Sequence, residues 1–193
     1  MARPIQYDRK EVVEKAMMAF WEKGYHATGM AELVEVTDLR PGSIYAAFHS
    51  KEKFFLNALD HYAEQGMAQF KTILSASSSP LQGIREAVFW IAGDSADPDS
   101  KRSCFLVNTV VELARRNEEV GERSRQHFDA IESFFRKAVE AGQEKGEIAP
   151  EKDAGTLAAF IVCSIFGLRA QGGISPGRSK AMAVADQILS VLA

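Results

Sequence analysis

Apolar residues recur at intervals of three and four along nearly the whole chain, and strand-like alternation is almost absent. A chain patterned this way hides its apolar surface by packing helix on helix, so an all-α fold is expected. The first helix carries the stripe Val12, Val13, Ala16, Met17, Phe20 and Trp21, with Asp8 placed to cap it and Gly24 to stop it. A short second helix follows Thr28-Gly29, with Ala31, Leu33 and Val34 turned inward. The stretch from Val36 to Arg40 is polar and short, and reads as a turn. Pro41 then opens a third helix, where its missing N–H costs nothing, and Ile44, Tyr45 and Phe48 are assigned to the buried side. Ser50 caps a longer fourth helix through Phe55, Leu59, Tyr62, Met67, Phe70 and Leu74.

Further helices are predicted near 81–95, 101–115, 118–145, 151–172 and 178–192, separated by the loop Asp94 to Ser100, by Gly146 and by Gly172-Gly173. The sum is about nine helices, three short ones ahead of a long one and then a bundle. The expected division is a small helical head over residues 1–50 and a larger helical body over 51–193.

The net charge of −3 supplies no global field to draw the chain to nucleic acid, so any such contact must come from a local arrangement of donors. Cys104 and Cys163 lie far apart and match neither a zinc nor a disulfide spacing, which suits a reducing compartment. Met1-Ala2-Arg3-Pro4 opens no signal-peptide pattern. The apolar run Leu157 to Leu168 is interrupted by Ser164 and Gly167 and is short for a bilayer. A cytoplasmic location, with no membrane contact, is the expectation.

Two short helices joined by a tight turn can lay the second in a major groove of duplex DNA. Pro41 to Phe48 is the candidate groove helix: Ile44 and Phe48 hold it to its scaffold, while Arg40, Ser43 and Tyr45 near its start can reach bases or phosphates. Gly42 keeps the backbone low. Thr28, His49 and Lys51 lie at helix starts, which favour phosphate, and Arg3 on the N-terminal arm can reach a groove or a phosphate. Charge is less decisive. The cations of residues 1–53 are matched one for one by carboxylates, although Arg40, Lys51 and Lys53 gather near the proposed groove helix. On the residues alone, a DNA-reading head and a solvated mixed-charge hairpin both remain open.

The pattern Phe20-x-x-x-Gly24-Tyr25-x-x-Thr28, then Leu33, then Gly42-Ser43-Ile44-Tyr45-x-x-Phe48-x-x-Lys51-Glu52 resembles the N-terminal domain of the TetR family of bacterial regulators. The resemblance implies a three-helix helix-turn-helix domain, a linking fourth helix and a C-terminal helical domain for ligand binding and dimerisation. It places Thr28, Arg40, Pro41, Ser43, Tyr45, His49 and Lys51 at positions that commonly touch DNA, mostly phosphates. Three residues depart from the pattern. Asp38 stands where the family has a turn glycine, and Asp tolerates the left-handed conformation that the turn demands. Arg40 replaces a small hydroxyl cap but brings a guanidinium, the commonest reader of guanine. Pro41 replaces an often basic residue.

In the body, Ser103 to Thr109 with Glu112 resembles a subgroup pattern in which a cysteine opens the sixth helix beside the ligand cavity and in some members senses electrophiles or oxidants. A helix N-terminus preceded by Lys101 and Arg102 favours a thiolate at Cys104, whereas a plain buried thiol is the alternative. Cys163, inside an apolar helix, is placed at core or interface depth. Phe89, Trp90, Phe105, Phe128, Ile131, Phe135 and Phe166 fall at helical spacings suited to an apolar cavity, which the family resemblance implies, with Cys104 beside it and Asn108 and Glu112 orienting an unknown small-molecule effector. The last two helices are expected to form a homodimer, through Leu157, Phe160, Ile161, Ser164 and Ile165 on one and Val184, Ile188, Val191 and Leu192 on the other. Such a dimer matches a pseudo-palindromic operator in double-stranded DNA. The expected function is a repressor released by a small molecule or thiol modification. The alternatives are a helical adaptor or an enzyme. No nucleophile–base pairing, phosphate loop or metal spacing stands out, so neither catalysis, a cofactor nor a metal is expected.

Overall fold

Helix starts along the chain are written by short polar side chains that turn back onto free amides. Asp8 accepts from the amides of Lys10 and Glu11, Ser50 from Lys53, Ser79 from Gln82, Asn117 from Val120 and Asp153 from Thr156. In the computed structural model, which describes residues 7–97, 103–174 and 177–193, these caps open five of nine α-helices, and the described residues contain no strand. The helices are α1 (Arg9–Lys23), α2 (Met30–Thr37), α3 (Pro41–Phe48), α4 (Lys51–Ala76), α5 (Pro80–Ser95), α6 (Phe105–Thr109), α7 (Glu118–Glu144), α8 (Ala154–Gln171) and α9 (Arg178–Leu189). The α6 helix runs on into one turn of π-helix, Val110–Ala114.

Helices α1–α3 form the head, and the first turns of α4 close its core. Phe20 is fully buried and meets the rings of Tyr25, Phe54 and Phe55 at 6.2, 6.4 and 5.1 Å, while Phe48 of α3 stacks on Phe54 at 3.9 Å. The guanidinium of Arg9 lies 4.5 Å over Phe48 and donates to the Ala47 carbonyl and to Asn57, which ties α3 to both α1 and α4. In the body α7 packs on α8, and α5 lies among α4, α7, α8 and α9.

Several sequence expectations are corrected here. Val36 and Thr37 belong to α2, so the turn is only Asp38 to Arg40. Asp38 takes the left-handed conformation at φ 56°, ψ 26° without glycine. Ala31 is exposed, because α2 is too short to bury more than one stripe. Tyr45 is half exposed and points away from the core that Ile44 and Phe48 fill. Helix α8 spans 18 residues, longer than the run Leu157 to Leu168, and passes for a membrane span by length and composition. Its inner face, including Leu157, Ile161, Ile165 and Leu168, is instead buried in the body. The proposed dimer stripe therefore mixes two faces: Leu157, Ile161 and Ile165 look inward, whereas Phe160 looks out. Ile188 and Leu192 are likewise buried, and Val184 is exposed. Cys163 is exposed beside Phe160 rather than in the core. Arg3, Lys101 and Arg102 lie outside the described residues.

Phe20 joins all three ring contacts at the junction of head and α4, so its truncation leaves a cavity that rigid neighbours cannot fill. Phe20→Ala is expected to lower the unfolding free energy by about 3–5 kcal/mol, read from urea denaturation followed by circular dichroism.

Candidate nucleic-acid interface and a cavity in the body

The outer face of α3 is assembled by its entry. Arg40 is the cap residue, extended at φ −67°, ψ 148°, and exposed, with no carboxylate partner among the described residues. Pro41 is exposed at the first position, Ser43 is half-buried and Tyr45 half exposed on the following turn. His49 ends the helix with a positive φ of 66°, its amide donating to the Tyr45 carbonyl. The even charge balance of the sequence resolves in space. Lys23 pairs with Glu32, Lys15 with Glu11, and Glu14 with His61, so three carboxylates of α1 and α2 are taken up by partners outside α3. Lys53 pairs with Glu119 of α7, which removes it from the cationic group expected near the groove helix.

Thr28 is corrected as a candidate contact. It is fully buried, its hydroxyl donates to the carbonyls of Ala19 and Gly24, and its amide bonds Gly24 as well. The residue fixes the α1–α2 corner. Lys51, at the start of α4, holds its ammonium 4.3 Å above the Tyr25 ring. Burial pushes its pKa down, and the Glu112 carboxylate works against that shift.

Glu112 itself sits in the π-helical turn of the body and reaches into the head. Its two oxygens accept from the backbone amides of Tyr25 (3.0 Å) and His26 (2.9 Å). These amides follow Gly24, whose φ of 84° ends α1. The positive φ favours glycine, and a Cβ there would stand 2.8 Å from a Glu112 oxygen and displace that carboxylate from its two amides. An extra residue in a helical turn commonly re-aims a side chain, and π-turns gather at functional places. A second set of contacts joins α4 to α7: Asn117 donates to Glu52 at 2.6 Å, and Asp60 accepts from both Arg123 and His127.

Behind this junction lies a cavity of about 300 Å³ between α4, α5, α6 and α8. Of the expected ligand contacts, Trp90, Cys104, Ile131 and Phe166 line it. The others are placed elsewhere. Phe105 is buried among Trp21, Phe55 and Tyr62, Phe135 is core against Phe70, and Phe128 packs behind Phe166 at 4.6 Å. Asn108 accepts from the Ser103 hydroxyl at 2.6 Å, and Glu112 serves the head. Sequence reasoning missed Trp21, Tyr62 and Arg169. Arg169 donates to the Tyr62 hydroxyl at 3.1 Å, and that hydroxyl donates to the Cys104 sulfur at 3.4 Å. The one available signal was a lone arginine in a long apolar helix.

The comparisons with known proteins fall on this architecture. The family model described as bacterial regulatory proteins, tetR family, matches residues 12–58, and that described as tetracyclin repressor-like, C-terminal domain, matches residues 83–175. The chain belongs to the TetR family. It is 29% identical over 188 residues to the HTH-type transcriptional repressor ComR of Escherichia coli strain K12, covering 97% of this chain and 90% of ComR. It is 26% identical to the HTH-type transcriptional repressor DhaR of Mycobacterium sp. strain GP1, covering 95% and 89%. Among solved structures it is similar to a cysteine mutant of the TetR family regulator CifR complexed with 26-base-pair operator DNA, with 28% identity, a TM-score of 0.88 and full coverage of both chains. As a TetR family member it is a helix-turn-helix transcriptional regulator, with all-helical architecture throughout the described residues.

The Asp60 cluster gives this TetR family chain a titratable brace. Burial raises the Asp60 pKa, but its bonds to His127 and Arg123 outweigh that and hold it below the usual carboxylate value. A depressed folded-state pKa means stability that is present above the unfolded value near 4 and lost as pH falls through the folded one. Asp60→Asn is expected to flatten the acid side of the stability–pH curve, measured by thermal unfolding across that range.

Proposed function

We propose that the chain is an effector-controlled repressor that binds a pseudo-palindromic duplex as a homodimer. Residues 1–50 act as the DNA-binding unit and 51–193 as the ligand-binding and dimerisation unit, with α4 shared mechanically between them. The observation that carries the reading is the Glu112 clasp. One carboxylate on the helix bordering the cavity holds the α1–α2 corner and lies in the field of Lys51, a candidate phosphate contact. Arg40, Pro41, Ser43, Tyr45 and His49 present the reading face, Lys51 the phosphate contact, and Arg3 an arm. A molecule entering between α4 and α6, or a modification of Cys104, favours a state in which that clasp is shifted and the two recognition helices leave their spacing of about 34–36 Å. Operator complexes of CifR support the binding mode, and the repressors ComR and DhaR support the sign of regulation. A gene-regulatory role of this kind places the protein in the cytoplasm and asks for no catalysis.

The dimer surface is assigned to the exposed side of α8 and α9. Phe160, Gly167 and Val184 border one shallow apolar groove there, and a second copy related by a two-fold axis covers it.

A duplex selected from random sequence supplies the test. Arg40→Ala with Tyr45→Ala is expected to weaken binding about tenfold or more without loss of helicity, and wild-type affinity should fall steeply with salt. Unchanged affinity in the double variant defeats the assignment of α3. The same duplex with one half-site scrambled reads the dimer, and alkylation of Cys163→Ser protein reads the Cys104 route. Glu112→Ala separates binding from control: compounds that release wild-type protein should still enter the cavity, followed by tryptophan fluorescence, yet no longer release DNA. Full release from Glu112→Ala would show that the clasp transmits nothing.

A further inference from the structure

The cavity wall carries one cationic side chain among its described lining residues, Arg169, and one carboxylate, Asp94. The Arg169 side chain is only 14% exposed, and a guanidinium withdrawn from water that far requires an anionic partner. Asp94 stands at 3.3 Å but is 45% exposed, so solvent screens the pair. Asp94 also occupies the last turn of α5, where the carbonyl end of the helix opposes a carboxylate. The remaining neighbours offer no charge. Tyr62 accepts from Arg169, but burial drives its pKa upward, so it stays a neutral phenol that donates on to Cys104. The guanidinium lies 5.3 Å from the Trp90 ring centre, which holds its planar fork in place at the end of an apolar chamber.

We propose that the effector of this cavity is a small amphipathic anion: an apolar body seated among Trp21, Phe70, Trp90 and Phe166, and a carboxylate head that takes Arg169 from Asp94. The proposal rests on the effector-controlled reading above and names the chemistry of that same site. A planar carboxylate meets the fork through two parallel N–H···O bonds, a geometry that an amide matches with one oxygen only. Asp94, released to solvent at the rim, loses little on displacement. Cations are disfavoured because Arg169 stands at the polar end. The volume of about 300 Å³ suits a molecule of roughly a dozen non-hydrogen atoms.

Both tryptophans of the chain, Trp21 and Trp90, line the cavity, so their fluorescence reports occupancy without reference to DNA. Three matched compounds serve as probes: phenylbutanoate, its neutral amide phenylbutanamide, and the cation phenylbutylammonium. Wild-type protein is expected to bind the acid about tenfold more tightly than the amide, and the ammonium most weakly. Arg169→Met, which keeps the aliphatic stem, should bring acid and amide to equal affinity by weakening the acid alone. Asp94→Asn should tighten the acid severalfold, and it decides the matter by itself if Arg169→Met fails to fold. Equal or tighter binding of the amide or the ammonium to wild-type protein overturns the anion assignment while leaving an effector cavity standing. Quenching by none of the three overturns both.

Discussion

One carboxylate of the body reaches across and holds the corner of the head. Glu112 offers its oxygens to two successive amides, those of Tyr25 and His26, at the corner where α1 ends. Hydrogen bonds to an ionised acceptor are about twice as strong as neutral ones, and here two are aimed at consecutive donors in a shared geometry. The geometry holds only because Gly24 turns with a positive φ and carries no Cβ, and because a π-turn carries residue 112 to this corner. The Trp21 indole, donating to the Ser103 carbonyl, fastens the same helix from the other side. The head is therefore not a bead on a linker. Its first corner is a surface of the body, and α4 is the second tie.

That arrangement explains why the aromatic residues concentrate where they do. Phe20, Tyr25, Phe54 and Phe55 fill the junction, and Trp21, Tyr62 and Phe105 continue the same aromatic packing towards the cavity. A continuous body of packed rings deforms little, so a change in the chamber is passed on as displacement rather than absorbed. In the proposed mechanism the rings act as the lever and the Glu112 clasp as the coupling. Arg169, Tyr62 and Cys104 form a polar chain at the chamber's end, and this chain, with Asp94, Gln65 and Gln69, distinguishes the cavity chemically from the apolar core around it.

The helices were legible because their causes are local. Asp8, Ser50 and Pro41 mark starts and Gly24 a stop by hydrogen-bonding geometry and sterics that need no tertiary partner, and the structure keeps all four. The inner side of α3 was legible for a similar reason: Ile44 and Phe48, four apart, are both buried, whereas Tyr45, assigned to the same side, is half exposed. Thr28 misled because a hydroxyl at a helix start can serve phosphate or its own corner equally well, and only burial separates the two. The cavity was legible only in part. Trp90 and Phe166 were found by apolar spacing and Cys104 by family resemblance, but core and chamber wall share that spacing, so Phe105 and Phe135 were indistinguishable from the two.

What the sequence determined by itself was the alphabet of helices, the left-handed turn at Asp38 and the family pattern from Phe20 to Glu52, all governed by interactions within a few residues. What the tertiary structure decided was the destination of the charged side chains. Glu112 went to the head, Lys53 to Glu119, and Arg169 to a chamber shared with Tyr62 and Asp94. Each of these pairs spans 66 residues or more, counted from 112 to 26, 53 to 119, and 169 to 62 and 94. A charge finds its partner by the packing of distant helices, and no local periodicity carries that information.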